Sequence, residues 1–354
     1  MFAFSKARPK LEFDRRAFLG LLAGAFALSA TAPSVAFAAT PVVRGASHAP
    51  KTPGEGAATT EKLVHVERGT LGVTLTFALA NAPFPMAGTP YEDRSVVVFV
   101  PAHYRLPKHG RVDALVHFHG HNNTAQGAIE EHALREQFTE SKQNAILIAP
   151  QGPVRAADSS GGKLERAGGL RRMLVELNHE LTKSSLKAVL GASATSGTKR
   201  FGTLCISAHS GGYRVTAACL MQGGVEVTEV YLFDALYGGG PSFRAWLNGP
   251  GGKRQGRKLI SMYATPPVRA NNFSLMAELR SDGIAVLHEE HPGDLTRKQL
   301  TDGRAIFIAS PLDHGSVAYR HNNLRDCLYA SQLHRNETSD WFEHKTEGRA
   351  IDAR

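Results

Sequence analysis

Apolar residues along this chain follow two rhythms. Segments 62–67 and 72–78 alternate apolar and polar positions, the period of two that suits an antiparallel hairpin at a sheet edge. Segments 95–100, 114–118, 144–149, 204–207, 227–233, 258–263 and 304–308 are instead mostly continuous apolar runs, the signature of strands covered on both faces. Helix-compatible stretches separate the later runs, among them 213–222 and one beginning at Leu170. This alternation predicts an α/β fold, a mostly parallel central sheet with helices on both faces, in one domain spanning 61–354. A domain of that length buries a sizeable core.

Ahead of the domain the pattern changes twice. Asp14-Arg15-Arg16-Ala17-Phe18-Leu19-Gly20 leads into an uncharged, Ala/Leu/Gly-rich stretch ending in Ala36-Phe37-Ala38, a small-x-small cleavage site. Two arginines followed by Phe-Leu resemble a twin-arginine export signal, so residues 1–38 are expected to meet the twin-arginine translocation machinery and be removed. The resulting protein is expected to be bacterial and periplasmic or secreted. An uncleaved anchor is the alternative, against which stand the modest hydrophobicity and the Ala-x-Ala ending. Residues 39–60, rich in Ala, Pro, Gly and Thr without apolar periodicity, predict a flexible linker. No later stretch is apolar enough to span a membrane, so no stable span is expected after cleavage.

Within the domain, the run 204–207 breaks at Ala208-His209-Ser210-Gly211-Gly212 and resumes as an amphipathic stretch. A serine hydroxyl is a poor nucleophile unless a tight turn lifts it clear of the sheet, and that turn admits only small residues beside it. Ala208 and Gly212 flank Ser210; the usual pattern has glycine at both places. The run 227–233 ends in Asp234, a carboxylate at the C-terminal end of a buried strand that needs a partner. After 304–308, the loop Pro311-Leu312-Asp313-His314-Gly315-Ser316-Val317 precedes a helix predicted from about Ala318. A loop histidine of near-neutral pKa suits a general base.

Together with the His119-Gly120 turn that follows 114–118, these residues resemble the α/β-hydrolase superfamily, whose chain order is also nucleophile, acid, histidine. The resemblance covers roughly residues 61–335 and implies a Ser210–His314–Asp234 hydrolase with a covalent acyl-enzyme. The oxyanion hole is expected from the Gly211 and His121 N–H groups. Many members carry the acid one strand later, but Thr265-Pro266-Pro267-Val268-Arg269-Ala270-Asn271-Asn272 contains no carboxylate, which returns the role to Asp234. Asp282, Glu289, Glu290 and Asp294 are fallbacks. The interval 235–257 is too short for a large cap domain, so the site should be open. In the polar, glycine-rich loop 151–167, Ser160 and Lys163 are candidates to meet substrate, as is His209 beside the nucleophile; Arg155 is a further cation there.

The competing chemistry lies in His117, His119 and His121, which alternate as zinc ligands at a strand end do, with His288 and His291 downstream. Gly120 ends the extended geometry that would put them on one side, and Asn122 and Asn123 stand where a metallo-β-lactamase-like pattern has its acid and histidine. No metal and no cofactor is therefore expected. Ser184 and Lys187 match a penicillin-binding Ser-x-x-Lys, but its companion motifs are missing. Cys205, Cys219 and Cys327 are too few for a disulfide framework, and the resemblance sets Cys219 and Cys327 on opposite faces of the sheet. The chain carries a formal charge of +9, and +6 without residues 1–38, which hold five basic and two acidic side chains. No basic block with interleaved aromatics occurs, so nucleic acid is not an expected partner.

The expectation is an exported serine hydrolase that cleaves a carboxylic ester in a small or polymeric acyl substrate. The alternatives are a peptidase or amidase of cell-wall material using the same triad, a non-catalytic binding protein on this fold, and a metal-dependent hydrolase using His117, His119 and His121.

Overall fold

A computed structural model describes residues 62–84, 88–107, 110–191, 200–250 and 256–349. The expected signal segment 1–38 and linker 39–60 lie outside the described residues. Ten strands form one sheet: β1 Leu63–Gly69, β2 Gly72–Ala78, β3 Ser95–Pro101, β4 Arg111–Phe118, β5 Ala145–Pro150, β6 Arg200–His209, β7 Glu229–Phe233, β8 Lys258–Tyr263, β9 Val286–Glu289 and β10 Ala305–Ala309. Their order is β1-β2-β3-β5-β4-β6-β7-β8-β10-β9. The first three strands pair antiparallel, β3 meets β5 antiparallel, and every later pairing is parallel.

The continuous apolar runs become the inner strands because successive side chains point to opposite faces and both faces are covered. In β4, Val116 belongs to the buried layer that includes Leu170, Met173 and Leu177 of helix Gly169–Leu181, while its neighbour Leu115 belongs to the layer containing Ile129, Phe138 and Leu328. The elbow helix Tyr213–Gln222 lies in the first layer and helix Asn323–Tyr329 in the second. Cys219 and Cys327 are thus on opposite faces, and all three cysteines are free and buried. Leu115 is fully buried, and truncating such a leucine to alanine typically costs about 2–5 kcal/mol.

With the elbow at the C-terminal end of a central strand, this architecture is the α/β-hydrolase fold. Among the described residues, helix Gly240–Asn248 is the element between β7 and β8, so no large cap covers the site.

Two expectations are corrected. The helix anticipated from Ala318 begins at Asn323, because His321 and Asn322 adopt left-handed backbone (φ 58° and 53°) that an α-helix does not accommodate. The second is β9, which the apolar pattern does not show: it is four residues long, Val-Leu-His-Glu, and pairs only with β10 at the edge.

Candidate active site

Strand β6 runs directly into a tight turn. Ser210 takes φ 52°, a left-handed conformation that a non-glycine residue holds at a cost of about 1–3 kcal/mol. The turn Ser210–Gly212 then opens the helix Tyr213–Gln222. Crowding explains the small residues. A methyl on Gly120 would sit 2.7 Å from the Ser210 Cβ, and one on Gly212 would sit 2.7 Å from the Phe118 carbonyl. Ala208 is fully buried in the core, where its methyl is accommodated, so the departure from glycine is absorbed there.

Three side chains from three segments meet at this turn. His314 Nε2 lies 2.9 Å from Ser210 Oγ, and His314 Nδ1 lies 2.6 Å from Asp234 Oδ2. A carboxylate beside Nδ1 fixes the proton there, which leaves Nε2 to accept from the serine hydroxyl. Asp234 follows β7 directly and is buried. Its Oδ1 accepts from the Ala264 and Thr265 amides at 2.8 and 3.1 Å. Burial pushes this carboxyl up, but the bonds from His314, Ala264 and Thr265 outweigh it, and the pKa falls below the ordinary aspartate value. Asp234 is thus held ionised.

The fallback carboxylates are engaged elsewhere. Asp282 pairs with Arg244, Glu289 with Arg349, and Asp294 accepts from the His291 amide; Glu290 is exposed.

Gly211 N–H is the second amide of the elbow turn, where helical geometry supplies no carbonyl partner. The His121 ring lies against Gly211, and its Nε2 is 2.7 Å from Ser159 Oγ. His119 holds the same loop. Its Nδ1–H donates to the Gly120 carbonyl at 2.8 Å, so its Nε2 is the bare nitrogen and accepts from the Gly152 amide at 2.9 Å. Burial lowers its pKa, consistent with a neutral ring. His117 turns into the core and contacts Ser207 Oγ at 2.8 Å. The three alternating imidazoles therefore serve three separate partners, and among the described residues no three His, Cys, Asp or Glu side chains converge as metal ligands.

The expected substrate contacts are redistributed. Lys163 donates to the Ala80 carbonyl at 2.7 Å and does not line the cleft. The Ser160 hydroxyl is taken by Asp158 at 2.5 Å, and Ser160 lines a small recess behind Gly211; its neighbour Ser159 faces the cleft. Arg155 is exposed. His209 borders the cleft, but its Nε2–H donates to the His314 carbonyl at 2.8 Å.

The cleft around Ser210 has a volume of about 670 Å³. Tyr213 and Tyr237, with ring centroids 6.3 Å apart, line it together with Asn122, Asn123 and Glu131. Sequence reasoning named Asn122 and Asn123 only as departures from a metal-binding pattern and did not place Tyr213, Tyr237, Glu131 or Ser159 at the cleft. They come from loops whose convergence no spacing encodes, although Tyr237, three positions after Asp234, was within reach of a reading that followed the acid loop.

No family model matches this chain, and no curated protein matches it. Solved structures with a similar course of chain include a ferulic acid esterase (13% identity, 72% of this chain and 96% of that one, TM-score 0.47). Others are an acetyl xylan esterase from Aspergillus awamori (11%, 73% and 99%, 0.44) and a fluorophosphonate-binding serine hydrolase from Staphylococcus aureus (10%, 73% and 98%, 0.41).

Proposed function

We propose that this protein is an exported serine hydrolase that cleaves carboxylic esters. The observation carrying this reading is the continuous chain from Asp234 through His314 to Ser210, at 2.6 and 2.9 Å, on a turn where the serine backbone is strained. Ser210 Oγ attacks the acyl carbonyl while His314 Nε2 takes its proton. Asp234 orients the imidazole and stabilises its positive charge. The Gly211 and His121 amides hold the oxyanion; loss of one such donor typically costs about 10² to 10³ in rate. His314 returns the proton to the leaving alcohol, and water, activated by the same imidazole, releases the acid. An ester is favoured because an alkoxide leaves with less assistance than an amine. The cleft mixes the Tyr213 and Tyr237 rings with the polar Asn122, Asn123 and Glu131 and holds about 670 Å³, a size that suits a short acyl group, and short-chain p-nitrophenyl esters should be turned over faster than long-chain ones.

Fluorophosphonate labelling tests the reading. Ser210 Oγ bonds to phosphorus, the P–F bond breaks, fluoride leaves and His314 holds the proton. An adduct mapped to Ser210 and absent from Ser210→Ala supports the proposal; a folded wild type that stays unlabelled ends it. Export is tested separately by fractionating expressing cells: a periplasmic form beginning at Ala39 is expected, and retention of residues 1–38 on a cytoplasmic protein refutes it.

A further inference from the structure

The base of the triad is its only member on a long loop. Ser210 and Asp234 extend adjacent, hydrogen-bonded strands, with His209 in register with Phe233, so the ladder fixes their spacing. His314 lies between β10 and the helix Asn323–Tyr329, in a stretch of turns. Further along, that stretch is anchored by buried Gln137, which donates to the Ala318 carbonyl and accepts from the Leu324 and Arg325 amides. At the His314 peptide itself, the described bond is the one from His209.

His209 is in turn held in place. The His132 ring meets it edge-on at 4.6 Å and stacks at 6.5 Å on Tyr319, a residue of the same loop as His314. The His209 and His314 rings lie 4.8 Å apart. Two histidines from the body of the domain, one ending β6 and one capping helix Ala125–Glu131, thus grip the loop at two points.

Resting on the hydrolase reading above, we infer that His209 is a positioning residue: its Nε2–H holds the His314 carbonyl so that the His314 imidazole reaches Asp234 and Ser210 together, and His132 with Tyr319 braces it. His209 is not a second base, because Nε2 is spent on a carbonyl and therefore carries the proton. Burial drives its pKa down to about 4 and that of His132 to about 3, so both rings are neutral when the enzyme works. Preorganisation of this kind acts on the rate more than on affinity, since displacing a reacting group by about 1 Å costs around 10²-fold.

The test compares His209→Leu, which removes the donor, with His209→Gln, whose amide nitrogen reaches close to the Nε2 position, and Tyr319→Ala, which removes the brace without touching the elbow strand. Fluorophosphonate inactivation is resolved into its maximal rate and half-saturating concentration for each. The expected result is a maximal rate about 10²-fold lower in His209→Leu, restored to within several-fold in His209→Gln and reduced several-fold in Tyr319→Ala, with half-saturation unchanged throughout. If His209→Leu does not fold, the other two variants decide. In the Ser210→Ala background, the downfield imidazole proton of the His314–Asp234 bond should broaden with His209→Leu and persist with His209→Gln. A Gln variant as slow as Leu, a Tyr319→Ala variant as fast as wild type, or a loss confined to half-saturation overturns the inference. An unreactive wild type instead refutes the hydrolase reading.

Discussion

The two ends of the parallel strands are built to opposite specifications. At the N-terminal end, buried polar side chains close the structure. Asp113 accepts from the Thr203 and His334 amides and from the His334 ring; Glu229 accepts from Tyr231 and the Gln332 amide; Lys258 donates to the carbonyls of Leu300, Thr301 and Ala330. At the C-terminal end, Ser210, Asp234 and Asn122 hold left-handed backbone, and His117 Nε2 and His132 Nδ1 are buried without a partner among the described residues. At the reactive end the backbone of Ser210 and Asp234 is itself strained, whereas the opposite edge ties the last segments of chain to the sheet. The two ends should therefore fail differently when altered.

The largest effect is expected from Asp234→Asn. Ester hydrolysis should fall about 10⁴-fold because the imidazole loses the carboxylate that sets its tautomer, while the thermal midpoint moves little. Gly120→Ala drives a methyl to 2.7 Å from Ser210 Cβ, and kcat should fall about 10²-fold with a stability loss of about 1–3 kcal/mol in denaturant titrations. At the opposite edge the pattern should invert. Lys258→Ala leaves the Leu300, Thr301 and Ala330 carbonyls without their donor, costing about 1–3 kcal/mol of stability, yet kcat per folded molecule should hold. A matching loss of kcat would show that the two ends are coupled.

The effect with no expected bearing on kcat at neutral pH concerns acid. His132 has a folded pKa of about 3 against about 6.5 unfolded, so the unfolded chain binds the extra proton in between. Its contribution is fully present above pH 6.5 and is lost as pH falls from there toward 3. Asp326, raised by burial to about 6, runs the other way and favours the folded state as pH drops through that range. The stability difference between wild type and His132→Phe, followed by urea titration from pH 7 to 4, isolates the histidine; a difference that does not shrink as the acid end is approached would rule out a neutral His132.

Most of the sheet was readable because inner strands need apolar residues on both faces, and a run such as Ile-Leu-Ile-Ala in β5 has few other uses. Ser210, Asp234 and His314 were readable for a related reason. Ser210 and Asp234 directly follow strands and His314 lies in the loop after the next-to-edge strand β10, so chain order carries much of their geometry. Lys163 and Ser160 show where this stops. A glycine-rich loop advertises freedom of path but not direction, and only the fold shows that Lys163 turns back to Ala80 while Ser159 faces the cleft. His209 was visible as a neighbour of Ser210, but its bond to His314 spans 105 positions that no local pattern links.

The three cysteines are buried and unpaired, and burial raises the thiol pKa, to about 12 for Cys219 and well above the ordinary range for Cys205. Thiolate, the form that alkylating reagents attack, is therefore almost absent from the native protein at neutral pH. That silence makes the molecule its own blank. A single cysteine placed at the rim, at Tyr237 or Ser159, would be the sole site to take up a fluorescent or spin label, and the occupancy of the cleft could then be followed by spectroscopy without first removing any native residue.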